Sequence, residues 1–100
     1  MTITKTVKEN EIIYALEGRL DAVSSPELES ELEAEFEGGV QNITLDINRV
    51  QYISSAGLRV FLVAHKKCIK NSKAFSITGA NQAVREIFDI TGYSAMLNIV

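Results

Sequence analysis

Hydrophobic and polar positions are arranged differently in successive stretches of this chain, and each arrangement predicts an element. Residues 3–8 are β-rich and mostly polar, as in an edge strand with Ile3 and Val7 turned inward. Glu9 and Asn10 form a short turn. Residues 11–18 then hold the nearly continuous apolar run Ile12-Ile13-Tyr14-Ala15-Leu16, the pattern of a strand covered on both faces. So short a connection predicts a hairpin. Gly18-Arg19-Leu20-Asp21 reads as the strand exit. Ser24, Ser25 and Pro26 open a helix. Either Ser25 is the N-cap with Pro26 at the first helical position, or Ser24 and Glu27 form a capping box. Leu28, Leu32 and Phe36 recur every four residues as its buried stripe, and Gly38-Gly39 ends it.

Residues 42–48 alternate cleanly, with Ile43, Leu45 and Ile47 on one face of a third strand and Thr44, Asp46 and Asn48 on the other. Arg49 to Ile53 reads as a short loop. Ser54-Ser55-Ala56-Gly57 opens a second helix, from Gly57 to about Lys70, with Leu58, Phe61, Leu62, His65, Cys68 and Ile69 on one face. Residues 74–78 predict a fourth strand. Asn81 is a good N-cap for a third helix over 82–90, closed by Gly92, and the apolar tail 93–100 is expected to pack on the domain. The predicted order is β-β-α-β-α-β-α. Crossovers through helices imply parallel pairing of strands two to four, and the hairpin makes strand one antiparallel. This is an α/β fold: a mixed, mostly parallel sheet with helices packed on it. Residues 1–100 form a single domain without repeat or linker.

Composition narrows the function. A hydrophobic fraction of 46% argues against disorder. The apolar stretches fall far short of the roughly 20 residues of a membrane span, and the first 20 residues lack the layout of a secretory signal, so the expected compartment is the cytosol. One cysteine and one histidine exclude an internal disulfide and the multi-cysteine or His-His metal motifs; no metal or cofactor is expected. A net charge of −3 gives no reason to expect nucleic acid as a partner. The charge is nevertheless segregated. Residues 24–37 carry six glutamates and no base, whereas Arg59, Lys66, Lys67, Lys70 and Lys73 follow one another with no acid between them. Two solvated helix faces account for this, or a dipolar surface that orients a partner.

In open α/β sheets the functional surface lies beyond the carboxyl ends of the parallel strands, here Gly18–Ser25, Gln51–Gly57 and Gly79–Asn81. The middle segment places Ser54 and Ser55 at a helix N-terminus, where a phosphate would meet free amides and the positive dipole end. One serine acting only as a cap explains part of this. Two serines followed by Ala56-Gly57 also sacrifice helix propensity, which implies that something approaches closely. Phosphate-loop and nucleophile-elbow motifs are missing. His65, roughly 15 Å along the helix from Ser55 at 1.5 Å per residue, is a packed or half-buried side chain and out of reach as a base. Asp21 and Asp46 are candidates for a carboxylate pair, against which Asp46 lies mid-strand and Asp21 reads as a turn or cap residue; Cys68 is a small core residue.

The segment Ile43-Thr44-Leu45-Asp46-Ile47-Asn48-Arg49-Val50-Gln51-Tyr52-Ile53-Ser54-Ser55-Ala56-Gly57-Leu58 resembles the central motif of STAS domains, above all the stand-alone bacterial anti-sigma-factor antagonists. The resemblance extends to Gly18-Arg19-Leu20-Asp21, to Phe75–Gly79 and to Phe88–Tyr93, and so spans nearly the whole chain. It implies a non-enzymatic binding module. In such proteins a serine at the start of the second helix, here Ser55 by alignment on Gly57-Leu58, is expected to be phosphorylated by a partner serine kinase that is also the anti-sigma factor. By the same resemblance the unphosphorylated protein is expected to capture that kinase and so release a sigma factor, with a PP2C-type phosphatase removing the phosphate. Asp21 matches a family aspartate near that serine, and Asp21, Ser54, Ser55, Ala56 and Gly57 are the implied partner-binding residues. The chain departs from many relatives in having Ser54 where they carry an acid, and Ala56 where they often carry Ser or Thr. The alternative is a structural STAS subunit of a larger signalling or lipid-transport assembly, never phosphorylated.

Overall fold

The computed structural model describes residues 1–100. Strands β1 (Thr2–Val7), β2 (Glu11–Leu20), β3 (Asn42–Ile53) and β4 (Ala74–Thr78) form one sheet in the order β1-β2-β3-β4. β1 and β2 are antiparallel; β2, β3 and β4 are parallel. Between and after them lie α1 (Ser25–Glu33), α2 (Ser55–Lys70), α3 (Gln82–Thr91) and the single turn α4 (Tyr93–Met96), so the predicted order stands with one short helix added.

The strand order never reverses. Right-handed crossovers that always step the same way put every helix on the same face. Burial follows that rule: Ile12, Ile43 and Phe75 form one cross-strand row, and Tyr14, Leu45 and Ile77 the next, all at most 5% exposed. The helices return Leu28 and Leu32 from α1, Phe61 and Ala64 from α2, and Val84 and Phe88 from α3, with Phe61 and Phe88 ring to ring at 6.2 Å. The continuous apolar run in β2 is therefore not covered on both faces as expected. Ile12, Tyr14 and Leu16 meet the helices, while Ile13 and Ala15 are half-buried on the open face.

Other departures from the sequence expectation are local. Val7 ends an edge strand beyond the reach of any helix and is 63% exposed instead of inward. Ile69 is likewise exposed, because the buried stripe of α2 runs through Phe61, Ala64 and Cys68 and Ile69 lies to one side of it. α1 ends at Glu33, and turns carry the chain over 34–39, so Phe36 is buried from a turn and not from the helix. α2 begins at Ser55, two residues before the expected start. Arg49–Ile53 is strand, not loop. β3 carries two register shifts against β2, each adding one residue to β3, so that Ile47, Val50 and Ile53 face the helices at a spacing of three. The tail packs as expected: Leu97 is buried and Ile99 bridges Ile77 at the outer edge of β4.

The segregated charges partly pair with each other. Lys67 on α2 lies 2.7 Å from Glu33 on α1. Glu35 is no solvated face residue: it is 9% exposed, accepts a hydrogen bond from the buried Tyr14 hydroxyl at 2.8 Å and lies 2.9 Å from the Lys5 ammonium.

Candidate functional site

The site begins with the way β2 and β3 end. Their last residues, Leu20 and Ile53, are register partners, and the Ser54 amide donates to the Leu20 carbonyl at 2.9 Å. That bond seats the start of α2 against the end of β2. Gly57 makes the fit possible: a Cβ there would come within 2.8 Å of Leu20 Cγ and 3.0 Å of the Leu20 carbonyl oxygen. The close approach expected at Ala56-Gly57 is thus internal at Gly57, which is buried against the protein's own strand end. Gly57 brings no exposed surface of its own to a partner.

The two serines divide the roles left open by the sequence. Ser54 is the N-cap, with extended backbone, and its hydroxyl accepts from the Gly57 amide at 3.4 Å. Its carbonyl accepts the first helical bond, from the Leu58 amide at 3.0 Å. Ser55 is the first residue of the helix, exposed, and its hydroxyl makes no hydrogen bond to the protein. Capping occupies Ser54 and leaves Ser55 free at the positive end of a 16-residue helix.

Next to Ser55 the Asp21–Ser24 loop is built around Asp21. Asp21 Oδ1 accepts from the amides of Val23 at 3.0 Å and Ser24 at 3.1 Å and from the Ser24 hydroxyl at 3.2 Å. The Ser24 amide, helped by the Val23 amide and the Arg19 charge and opposed by partial burial, holds the Asp21 carboxyl below the usual carboxylate range. Ser24 therefore serves the loop and makes no side-chain cap on α1, and neither predicted capping arrangement forms. A groove of about 790 Å³ opens between the starts of α1 and α2; Ser25, Pro26 and Glu29 line one wall and Ser55, Ala56 and Arg59 the other. Asp21 stands one residue outside that lining, turned into its own loop.

Beside the groove, Arg19 stacks on the ring of its register partner Tyr52 at 4.5 Å, and Val23 at the loop tip is 90% exposed. Arg19, Tyr52, Val23 and Arg59 were not singled out from the sequence as site residues. The spacing of three in Ile47, Val50 and Ile53 is the signal for the extended strand that places Tyr52 opposite Arg19. The third expected segment lies elsewhere. Gly79 packs on Asn48, and the Asn81 side chain donates to the Val50 carbonyl at 3.1 Å, so this segment supports the middle of β3 and does not adjoin the serines. His65 is half-buried on α2, Cys68 is buried with its thiol pushed up by that burial, and no three His, Cys, Asp or Glu side chains come together anywhere.

A mixed four-stranded sheet with all helices on one face and a serine-bearing helix start at the strand ends defines a class. Over residues 2–100 the chain matches the family model described as STAS domain, and it belongs to that family. It is 31% identical over 99 residues to BtrV of Bordetella bronchiseptica, named as a candidate anti-sigma factor antagonist, covering 99% of this chain and 85% of the other. It is 27% identical to the anti-sigma-B factor antagonist of Staphylococcus aureus, covering 99% of this chain and 92% of that one. Among solved structures, the anti-sigma factor antagonist SpoIIAA in its unphosphorylated form superposes with a TM-score of 0.84 at 17% identity, over 99% of this chain and 88% of that one. The phosphorylated form of SpoIIAA, from Bacillus, gives 0.78 at 15%, over 99% and 91%. No helix is long and apolar enough to cross a membrane.

Proposed function

We propose that this protein is an anti-sigma factor antagonist, a non-enzymatic binding module switched by phosphorylation of Ser55. The observation that carries this reading is the division of labour at the start of α2: Ser54 closes the helix, while Ser55 presents an unbonded hydroxyl to solvent. Family membership, the names of the relatives and the likeness to a fold solved both bare and phosphorylated support it. In the bare state the surface around Asp21, Ser54, Ser55 and Ala56, shaped by Gly57, docks on a cytosolic anti-sigma serine kinase, which then lets go of its sigma factor. Asp21 contributes by holding the neighbouring loop rigid. The kinase moves the γ-phosphoryl group of ATP to Ser55 Oγ, which loses its proton, and a PP2C-type phosphatase hydrolyses the ester.

Phosphorylation adds about −1.5 to −2 charges at pH 7. At the N-terminus of α2 the free protein tolerates them, since the helix dipole there is favourable by about 0.3–1 kcal/mol. Against a partner the same phosphate must shed water and occupy the contact. A penalty of about 2.8 kcal/mol lowers affinity a hundredfold. Incubation with the cognate kinase and ATP, followed by phosphopeptide mapping and titration of both forms against the kinase, tests this. Label on Ser55, none on the Ser55→Ala variant and at least a tenfold weaker complex are expected. Undiminished labelling of Ser55→Ala, or equal affinities, would overturn it.

A further inference from the structure

The groove between the starts of α1 and α2 holds one cation, Arg59, and that cation is uncommitted. Its side chain is exposed and takes part in none of the four ion pairs of the molecule. Arg59 stands four residues after Ser55 on α2, so the two side chains are neighbours on one helix face, with the acid position N-terminal to the base, the better orientation for such a pair. The opposite wall supplies a second unmatched group. Ser25 is 4% exposed and lines the same groove, and its hydroxyl, buried beside it, has no hydrogen-bond partner. At the same helix start the amides of Ser55 and Ala56 have no partner, since Ser54 caps only the Gly57 amide. Bases elsewhere on α2 are not free in this way: Lys67 is engaged with Glu33, and Lys66 and Lys70 lie beyond the groove.

We propose that Arg59 is the built-in counter-charge for a phosphate on Ser55, closing over it together with the α2 amides and the Ser25 hydroxyl, so that the phosphate is drawn into the groove between α1 and α2. This rests on the reading of Ser55 as phosphoacceptor. A planar guanidinium offers two parallel N–H donors matched to two phosphate oxygens, a fixed geometry that a lysine ammonium lacks. Of the two acids nearby, one faces the site. Glu29 on α1 lines the groove and opposes the phosphate, whereas Asp21 is bound up in its own turn. The consequence for the switch is double. Phosphorylation adds an anion to the docking surface and also withdraws from it the guanidinium that the bare protein offers to a partner's acidic group.

The test needs no kinase. Phosphoserine is installed at position 55 during translation by nonsense suppression, and the second ionisation of the phosphate is followed by phosphorus NMR in the full chain. With Arg59 present it should fall about half a pH unit further below the usual value near 6 than it does in an Arg59→Ala background. Arg59→Lys should keep part of that difference, Ser25→Ala should lose a smaller part, and Lys70→Ala should lose none. Thermal unfolding of each unmodified variant verifies that the fold is retained. Identical titration curves with and without Arg59 would overturn the clamp even if a kinase labels Ser55. A clear Arg59 dependence in a protein that no kinase labels would support the clamp and overturn only the phosphoacceptor reading.

Discussion

Ser54 and Ser55 are chemically identical and adjacent, yet one is inside the hydrogen-bonding of the helix end and the other outside it. Their substitutions should separate accordingly. Ser54→Ala removes the cap and should lower stability by about 0.5–1 kcal/mol, at the modest end because the bond to Gly57 is long. Ser55→Ala removes no bond and should stay within about 0.5 kcal/mol of the parent. Urea denaturation of both variants measures this, and a Ser55→Ala variant as unstable as Ser54→Ala would show that the roles are exchanged. Gly57 makes a sharper case. Helix propensity alone favours Gly57→Ala by up to about 1 kcal/mol. The new methyl group, however, would press on Leu20, including its backbone oxygen at 3.0 Å, which cannot rotate away. Overpacking of this kind costs about 1–3 kcal/mol, so net destabilisation is expected. A variant more stable than the parent would mean that the Ser54–Leu20 junction relaxes freely.

At the scale of elements, the link between β1, β2 and the turn after α1 runs through Glu35. Burial by itself would raise the Glu35 carboxyl. The bonds from Lys5 and Tyr14 and the charges of Lys5 and Lys73 outweigh it and hold the group below the usual carboxylate range. A carboxyl lowered in the folded state binds protons more readily when the chain unfolds. Its contribution is therefore complete above the ordinary carboxylate range and is lost as pH falls through and below that range. Asp21, lowered by the Ser24 amide, acts in the same direction. Tyr14→Phe should cost about 1–2 kcal/mol at neutral pH, since it removes a donor from a buried carboxylate. It should also flatten the decline in stability between neutral and strongly acid pH. Denaturation midpoints collected across that range test both parts, and a variant with the parent's pH profile would contradict this account of Glu35.

For the whole molecule, the two edges of the sheet are treated differently. β1 is polar and carries Lys5 on its helix-facing side. β4 is covered by the C-terminal tail: the Ile77 amide donates to the Asn98 carbonyl at 2.9 Å, the Val100 amide to the Ile77 carbonyl at 2.8 Å, and Leu97 is buried beneath them. Removing residues 97–100 should lower stability by about 2–4 kcal/mol through the lost Leu97 packing. It should also leave the β4 edge open to pairing between molecules. Sedimentation velocity would reveal the resulting self-association. A truncated chain that stays monomeric at high concentration would show that the tail is not what guards this edge.

Periodicity along the chain specifies much of this. Alternation in Ile43–Ile47 and Phe75–Ile77, the four-residue stripe of Leu28 and Leu32, and the caps at Asn81 and Gly92 are local preferences, legible because backbone geometry dictates the same spacing wherever such an element forms. The motif around Ser55 is legible as a helix start, but the choice of Ser55 over Ser54 comes from the resemblance to STAS domains and not from spacing. Tertiary structure alone decides the rest. Which face of β2 meets the helices depends on all crossovers stepping the same way, and no residue of β2 encodes that. The two shifts in β3 arise only against β2, and they turn an expected loop into the strand that sets Tyr52 on Arg19. With no reversal of strand order, there is no crevice between diverging crossovers, and the groove instead forms where two helix starts lie side by side. Whether Ser54 or Ser55 caps depends on a bond to Leu20, 34 residues away. Gly57 is small because Leu20 lies against it, and Arg59 shares a groove with Ser25 only because α1 and α2 pack together. Such relations join residues distant in sequence, and the folded chain alone brings them into contact.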